Sequence, residues 1–165
     1  MAKPDPDLSP EEAAEARAKL DRSKAQVAEL LVAKGADVNV RESKGHQTPL
    51  HLAAMNGFEA VANALIQAKA DVNAKNKVVR GVFHFVYNTY DYLQIGQTPL
   101  IYAVIEQQVP VIELLIRSGV DVNYGNKLHS NWAAIHWAAL TDDAKVSGMT
   151  AMRSLTTVSR LSRPF

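Results

Sequence analysis

The sequence predicts an all-α solenoid of about four helix-turn-helix units, with hairpin fingers between the units and one finger enlarged by an aromatic-rich insertion. Two recurring motifs lead to this prediction. Three segments close alike: GADVNV from Gly35, KADVNA from Lys69 and GVDVNY from Gly119. Two segments open alike: QTPLHLAA from Gln47 and QTPLIYAV from Gln97. The opening threonine precedes the closing aspartate by 23 residues in both cases. A fixed internal distance of this kind indicates one repeated structural unit.

Each of these two units reads as a pair of short helices joined by a turn. Thr48 and Thr98 are suited to the N-cap of a helix, and Pro49 and Pro99 to its first position, where the missing N–H costs nothing. Apolar residues recur at helical spacing after each Thr-Pro pair and again before each D-V-N turn. The Asp and Asn residues of those turns are typical turn formers that bond backbone groups, and we do not interpret them as catalytic carboxylates.

Stacked units of this size need neighbours, because one helix pair cannot bury its own apolar face. Counting back 23 residues from Asp37 aligns AEARAKL, which begins at Ala14, with TPLHLAA. Ser9-Pro10-Glu11-Glu12 is a strong helix start upstream of it. The apolar residues predicted to fill its second helix are Val27, Leu30 and Leu31. Downstream, AAIHWAAL from Ala133 aligns with the opening motif of a fourth unit.

The two motifs together resemble the ankyrin repeat, whose pattern runs roughly G-x-T-P-L-H-x-A-A, then a G-turn, a V-V-x-L-L-L helix and G-A-D-V-N. The resemblance covers about residues 24–139. It implies a curved stack of antiparallel helix pairs whose hairpin loops project at one edge. Such stacks usually bind other proteins, so the resemblance implies a non-enzymatic protein-binding module.

The repeat spacing sets the expected boundaries. We expect a disordered segment at residues 1–8, a repeat domain at 9–148 with units at about 9–44, 45–77, 95–127 and 128–148 onward, an insertion at 78–94 and a separate C-terminal segment at 149–165.

The insertion separates this chain from a plain repeat array. Asp71 and Thr98 are 27 residues apart, against 11 between Asp37 and Thr48. Its aromatic residues are Phe83, Phe85, Tyr87, Tyr90 and Tyr92. Two β-prone runs flank Asn88, which favours an extended hairpin growing from the finger. The aromatic face either packs on the helices as extra core or is exposed as a recognition surface. We expect it to bind a partner together with the concave positions after the A-A pairs, namely Met55, Asn56, Ile105 and Glu106.

The five histidines do not predict a metal site or a catalytic site. Family resemblance implies that His51 and Thr48 form a local hydrogen-bond network that holds the loop against the first helix. His136 repeats this position opposite Ala133, and Ile101 replaces the histidine in the unit between. No H-x-x-H or H-E-x-x-H spacing occurs, and with no cysteine there is no thiolate ligand. G-x-S-x-G, P-loop and G-x-G-x-x-G motifs are missing as well, so we expect no enzyme activity, cofactor, metal or small-molecule substrate.

Charge leaves one alternative open. The net charge of +1 gives no global field that would gather phosphate backbones. The segment from residue 144 to 165 has no acidic residue and contains Lys145, Arg153, Arg160 and Arg163. It could form a capping helix, a frayed tail, or a basic contact for nucleic acid or anionic membrane. The alternative functions are thus an adaptor acting through this tail, or a regulatory subunit of an enzyme. We expect a cytoplasmic monomer, since neither a secretory h-region nor a membrane-spanning run is visible.

Overall fold

The computed structural model describes residues 9–77, 96–125 and 131–140, and its regular elements in these ranges are all α-helices. They are α1 (Pro10–Ala33), α2 (Pro49–Asn56), α3 (Glu59–Gln67), α4 (Pro99–Ile105), α5 (Val109–Arg117) and α6 (Ala134–Leu140). The predicted all-α class is confirmed. The expected hairpin at 78–94 and the expected segment at 149–165 lie outside the described residues. No helix in the described part of the chain combines the length and apolar character needed to cross a bilayer.

Two complete helix pairs form the centre of the stack. Thr48 and Thr98 have extended backbones at the N-caps of α2 and α4, with Pro49 and Pro99 directly inside the helices. The first helices pack in one row, with α2 on α4 and α4 on α6, and the second helices in another, with α1 on α3 and α3 on α5. This two-row arrangement is that of a solenoid.

The core lies between the two rows. Leu50, Leu100 and Ile101 from the first helices meet Val111 and Leu115 from the second helices, and all five are almost completely buried. Each such side chain stabilises the fold by about 1.5–3 kcal/mol relative to leaving it exposed. The apolar positions predicted from helical spacing in these two units are therefore the core positions.

The D-V-N turns are joined to one another by a ladder of hydrogen bonds. Within each turn the aspartate side chain accepts from the backbone N–H two residues later, at 2.8, 2.9 and 3.0 Å. Between turns, the side-chain oxygen of Asn39 accepts from the N–H of Asp71, and that of Asn73 from the N–H of Asp121, both at 2.8 Å. The same bond therefore forms whether or not an insertion separates the turns, and the register of the stack is unchanged.

The first unit departs from the prediction. Instead of two helices and a turn, residues 10–33 form one unbroken helix, α1. Its start is as predicted, because Ser9 and Glu12 form a reciprocal capping box. In the next two units the turn contains a left-handed residue, Gly57 (φ 68°) or Gln107 (φ 55°), whereas the equivalent Ser23 remains helical. Without that reversal, the apolar residues predicted to fill a second helix, Val27, Leu30 and Leu31, are exposed.

Polar contacts dock α1 on the α2–α3 turn. Asp21 is buried, and its carboxylate accepts from two N–H groups in the first turn of α3, at 2.8 and 3.2 Å. The N-cap residue of α3 is Phe58, which makes no side-chain cap, so Asp21 supplies the cap from another helix. Arg17 donates to the carbonyl oxygen of Asn56 at 2.6 Å, and the Lys24 ammonium lies 4.0 Å from the centre of the Phe58 ring.

Candidate functional site

The insertion leaves and rejoins the stack at a closed pair of backbone groups. In the finger before α2, the Glu42 N–H donates to the Gln47 carbonyl at 3.0 Å. In the finger before α4, the Asn76 N–H donates to the Gln97 carbonyl, also at 3.0 Å. Each donor lies five residues after its turn aspartate, and each acceptor directly precedes the Thr-Pro pair. The enlarged finger therefore closes with the same pair as the short finger.

Additional bonds strengthen this closure. The Asn76 side-chain oxygen accepts from the Gln97 N–H at 2.7 Å, and the Asn76 carbonyl accepts from the Gly96 N–H at 3.1 Å. On one side, the Lys77 N–H donates to a carbonyl of the preceding finger at 2.9 Å. On the other side, the Tyr124 hydroxyl donates to the Gly96 carbonyl at 2.9 Å. Both ends of the insertion are thus bound to neighbouring fingers.

A cluster of buried polar side chains lies beneath the closure. The Tyr102 hydroxyl accepts from the amide groups of Gln47, at 2.8 Å, and Asn76, at 3.0 Å. The edge of the Tyr102 ring faces the ring of His51, with 5.7 Å between centroids. Burial raises the pKa of Tyr102, so its hydroxyl is neutral at physiological pH. These groups satisfy one another, and the cluster supports the finger instead of presenting a reactive group.

His51 connects the cluster to both units. Its Nδ1 accepts from the Thr48 N–H at 3.1 Å and lies 2.8 Å from the Thr48 hydroxyl. Because Nδ1 is an acceptor, the proton of the neutral ring is on Nε2, which donates to the Gln97 carbonyl at 3.1 Å. Burial lowers the pKa of His51 to about 4. The ring is therefore neutral near pH 7 and acts as a fixed connector.

The other histidine positions are less complete. His136 is exposed, and its Nδ1 accepts from the Ala133 N–H at 3.2 Å, but alanine offers no hydroxyl. Ile101 fills the equivalent position of the middle unit as a buried apolar residue. His84 and His129 lie outside the described residues. Over the ranges that are described, no three His, Cys, Asp or Glu side chains are grouped so as to hold a metal ion.

The predicted concave positions lie at the C-terminal ends of two adjacent first helices. Met55 and Ile105 occupy equivalent places, are half-buried and pack against the core. Asn56 and Glu106 follow them and are also half-buried. Arg17 covers this edge, since it donates to the Asn56 carbonyl. The five predicted aromatic contact residues, Phe83, Phe85, Tyr87, Tyr90 and Tyr92, lie outside the described part of the chain.

Sequence reasoning missed the residues that close the enlarged finger. Asn76, Gln97 and Tyr102 are all nearly inaccessible to solvent, although each carries a polar group. One signal was visible: a glutamine precedes both Thr-Pro pairs, although nothing in a turn motif requires it. The partner of that glutamine is 21 residues away across the insertion, which no local pattern indicates.

Comparison with family models places the repeats independently of the geometry. A model described as ankyrin repeats (3 copies) matches residues 16–76, and a model described as ankyrin repeat matches residues 95–127. The two matches together include more than half of the chain. They end on either side of the insertion.

Proposed function

The chain belongs to the ankyrin repeat family, and on that basis we propose that it is a non-enzymatic module that binds a partner protein through its concave face and its aromatic insertion. Ankyrin repeats generally mediate protein–protein interaction. The fold alone does not select the surface or the partner, so the site has to be argued from the residues.

The closed base of the insertion is the observation that carries this proposal. Asn76 and Gln97 join the two ends of the insertion by a backbone bond and a side-chain bond. The ladder bond from Asn73 to Asp121 is the same as in the unit without an insertion. The stack is thus complete without contributions from residues 78–95. A segment that the scaffold does not need for its register is free to serve recognition, as loops on a rigid scaffold often do.

The composition of the insertion favours a protein partner. Tyrosine and phenylalanine supply large contact areas at low entropic cost, and buried aromatic residues often dominate the energy of an interface. We assign the anchor role to Tyr87, Tyr90 and Tyr92, and the rim to Asn56 and Glu106 at the ends of the first helices. Met55 and Ile105 also contribute to the core, so their truncation would lower both stability and affinity.

The decisive experiment replaces Val82 to Tyr92 by a short Gly-Ser linker. Asn76, Gln97 and the ladder are left intact, so we expect unchanged helical circular dichroism and cooperative unfolding. The partner captured by the wild-type protein from its native cells is first identified and purified. Its affinity for the two proteins is then measured by calorimetry, with a loss of binding expected for the linker variant.

A matched control substitutes the exposed ion pair of α5, Glu113→Ala with Arg117→Ala, which changes surface charge on a second helix. We expect this control to bind normally, because an exposed pair contributes little to stability. A linker variant that unfolds would show that the aromatic residues belong to the core. A linker variant that binds at full strength would move the site elsewhere, and steep weakening of that binding with salt would point to the basic C-terminal segment.

A further inference from the structure

Equivalent positions in the three described units differ sharply in exposure. Leu31, Leu65 and Leu115 occupy the same place in α1, α3 and α5, yet Leu31 is 56% exposed while the other two are 4% and 0% exposed. In the second and third units, this leucine is covered by the first helix of its own unit. Nothing within the described ranges covers it in the first unit.

The outer face of α2 shows the same vacancy from the opposite side. Leu52, Tyr102 and Trp137 are equivalent residues of α2, α4 and α6. Tyr102 points to the preceding unit, since its hydroxyl bonds to Gln47 and Asn76. Tyr102 and Trp137 are each 3% exposed, whereas Leu52 is 42% exposed. The uncovered surface therefore has the position of one missing first helix, beside α2 and the second half of α1.

The segment with the repeat register of that helix is residues 10–20, but α1 carries it away from the vacancy. The helix runs straight through Ser23, where the other units reverse direction. Arg17 and Asp21 hold it on the α2–α3 turn, by their bonds to the Asn56 carbonyl and to the first turn of α3. The chain therefore does not fill its own vacancy while α1 is straight.

The solvent side of α1 is complementary to itself. Residues spaced alternately three and four apart form one seam, which is the spacing of helices that pair along their length. The seam consists of Ala13, Ala16, Leu20, Ser23, Val27 and Leu30, with Leu31 beside it. Its first half carries small side chains and its second half carries large ones. Two antiparallel copies would set small residues against large ones, whereas parallel copies would leave gaps between the alanines.

We propose that two copies of this chain exchange the first halves of their α1 helices, so that residues 10–20 of each copy fill the vacant first-helix position of the other. The two helices, each about 36 Å long, then lie antiparallel around a two-fold axis near Ser23. A helix hairpin in the other units is symmetric about the position equivalent to Ser23 and Lys24. The exchange keeps that symmetry and places Leu20 of one copy against Val27 of the other. It replaces the monomer expected from the sequence.

The first test measures the mass of the full chain by light scattering over a concentration series. We expect twice the mass of one chain for the wild type, and the mass of one chain for Val27→Glu. Val27 is exposed within one copy, so Val27→Glu should keep its helical content and unfolding cooperativity. Ile116→Glu is the matched control: it substitutes an equally exposed apolar residue of α5 and should stay dimeric.

The second test fixes the register and uses the absence of native cysteine. Leu20→Cys chains are mixed with Val27→Cys chains and oxidised. The mixture should form disulfide-linked pairs containing one chain of each kind, whereas either variant alone should not, because its two thiols would lie about seven residues apart along the helices.

Other outcomes overturn the proposal. A wild-type protein with the mass of one chain at every concentration would refute exchange, as would a Val27→Glu variant that remains dimeric. Efficient linkage of Leu20→Cys to itself would show a different register. A disulfide within a single chain that carries both substitutions would show that α1 bends back and fills its own vacancy.

Discussion

The Nε2 of His51 donates to the main-chain carbonyl of Gln97, 46 residues further along the chain, at 3.1 Å. This bond joins the first turn of α2 to the residue at which the insertion rejoins the stack. The opposite ring nitrogen is already engaged by Thr48, so both nitrogens have defined roles. The buried ring thereby connects the helix, the unit that follows and the base of the enlarged finger.

Stability should depend on pH through His51. Burial lowers the pKa of His51 to about 4 in the folded protein, from an ordinary value of 6.5. Between these values the unfolded chain binds a proton that the folded chain does not, so the free energy of unfolding rises with pH over this window and its full contribution is present above pH 6.5. We expect a contribution of up to about 3 kcal/mol. Denaturant unfolding of His51→Gln should show a flatter profile across this window, while the exposed His136→Gln should match the wild type.

Thr48 and Thr98 should differ in their importance. The Thr48 hydroxyl lies 2.8 Å from the His51 ring nitrogen, whereas the residue three after Thr98 is Ile101, which has no hydrogen-bonding side-chain atom. We expect Thr48→Ala to cost about 0.5–2 kcal/mol and Thr98→Ala to cost less. Chemical denaturation of the two variants measures both values. Equal shifts would contradict the role assigned to the imidazole.

Removing the Asp21 carboxylate should uncap α3. Two N–H groups of α3 would lose their acceptor in a buried place, and we expect Asp21→Ala to cost about 1–2 kcal/mol. Asp21→Asn keeps one acceptor oxygen and should cost less. Glu29→Ala, which removes an exposed carboxylate from the same helix, is the control and should change the unfolding midpoint little. A similar loss for Glu29→Ala would attribute the effect to α1 as a whole.

Lys69→Gly should stabilise the protein. Lys69 has φ 69° after α3, where the equivalent residues after α1 and α5 are Gly35 (φ 87°) and Gly119 (φ 79°). A left-handed conformation costs a non-glycine residue about 1–2 kcal/mol, part of which is offset by the greater freedom of glycine in the unfolded chain. We expect a gain of about 0.5–1 kcal/mol in thermal unfolding. Gly119→Lys should shift the midpoint downwards, since an added Cβ there meets nothing within 4 Å and only the backbone is strained.

The sequence predicted the central helices because their signals are local. Thr48 and Pro49 start α2, and a left-handed residue at Gly57 ends it, so the neighbouring few residues suffice. The straight course of α1 was not predicted, because alignment with a helix pair assumed a turn at Ser23. The cap from Asp21 was beyond reach as well, since its partners in α3 are 39 and 40 residues away.

The candidate site divides in the same way. The Thr48–His51 contact implied by family resemblance is present, because both residues belong to one helical turn. The closure formed by Asn76 and Gln97 depends on two distant segments meeting, and the sequence between them carries no record of that distance. The contact roles of the aromatic residues stay a prediction.

The closed base of the enlarged finger also sets what the chain can tolerate at this position. With Asn76 and Gln97 bonded to each other, a change in the length of the intervening segment alters mainly its closure entropy, which grows by only about 0.6 kcal/mol for each doubling. Foreign sequences of widely different length could therefore be grafted between residues 78 and 95 without redesign of the helices. The same tolerance would let natural variation reshape this segment quickly while the stack beneath it stays constant.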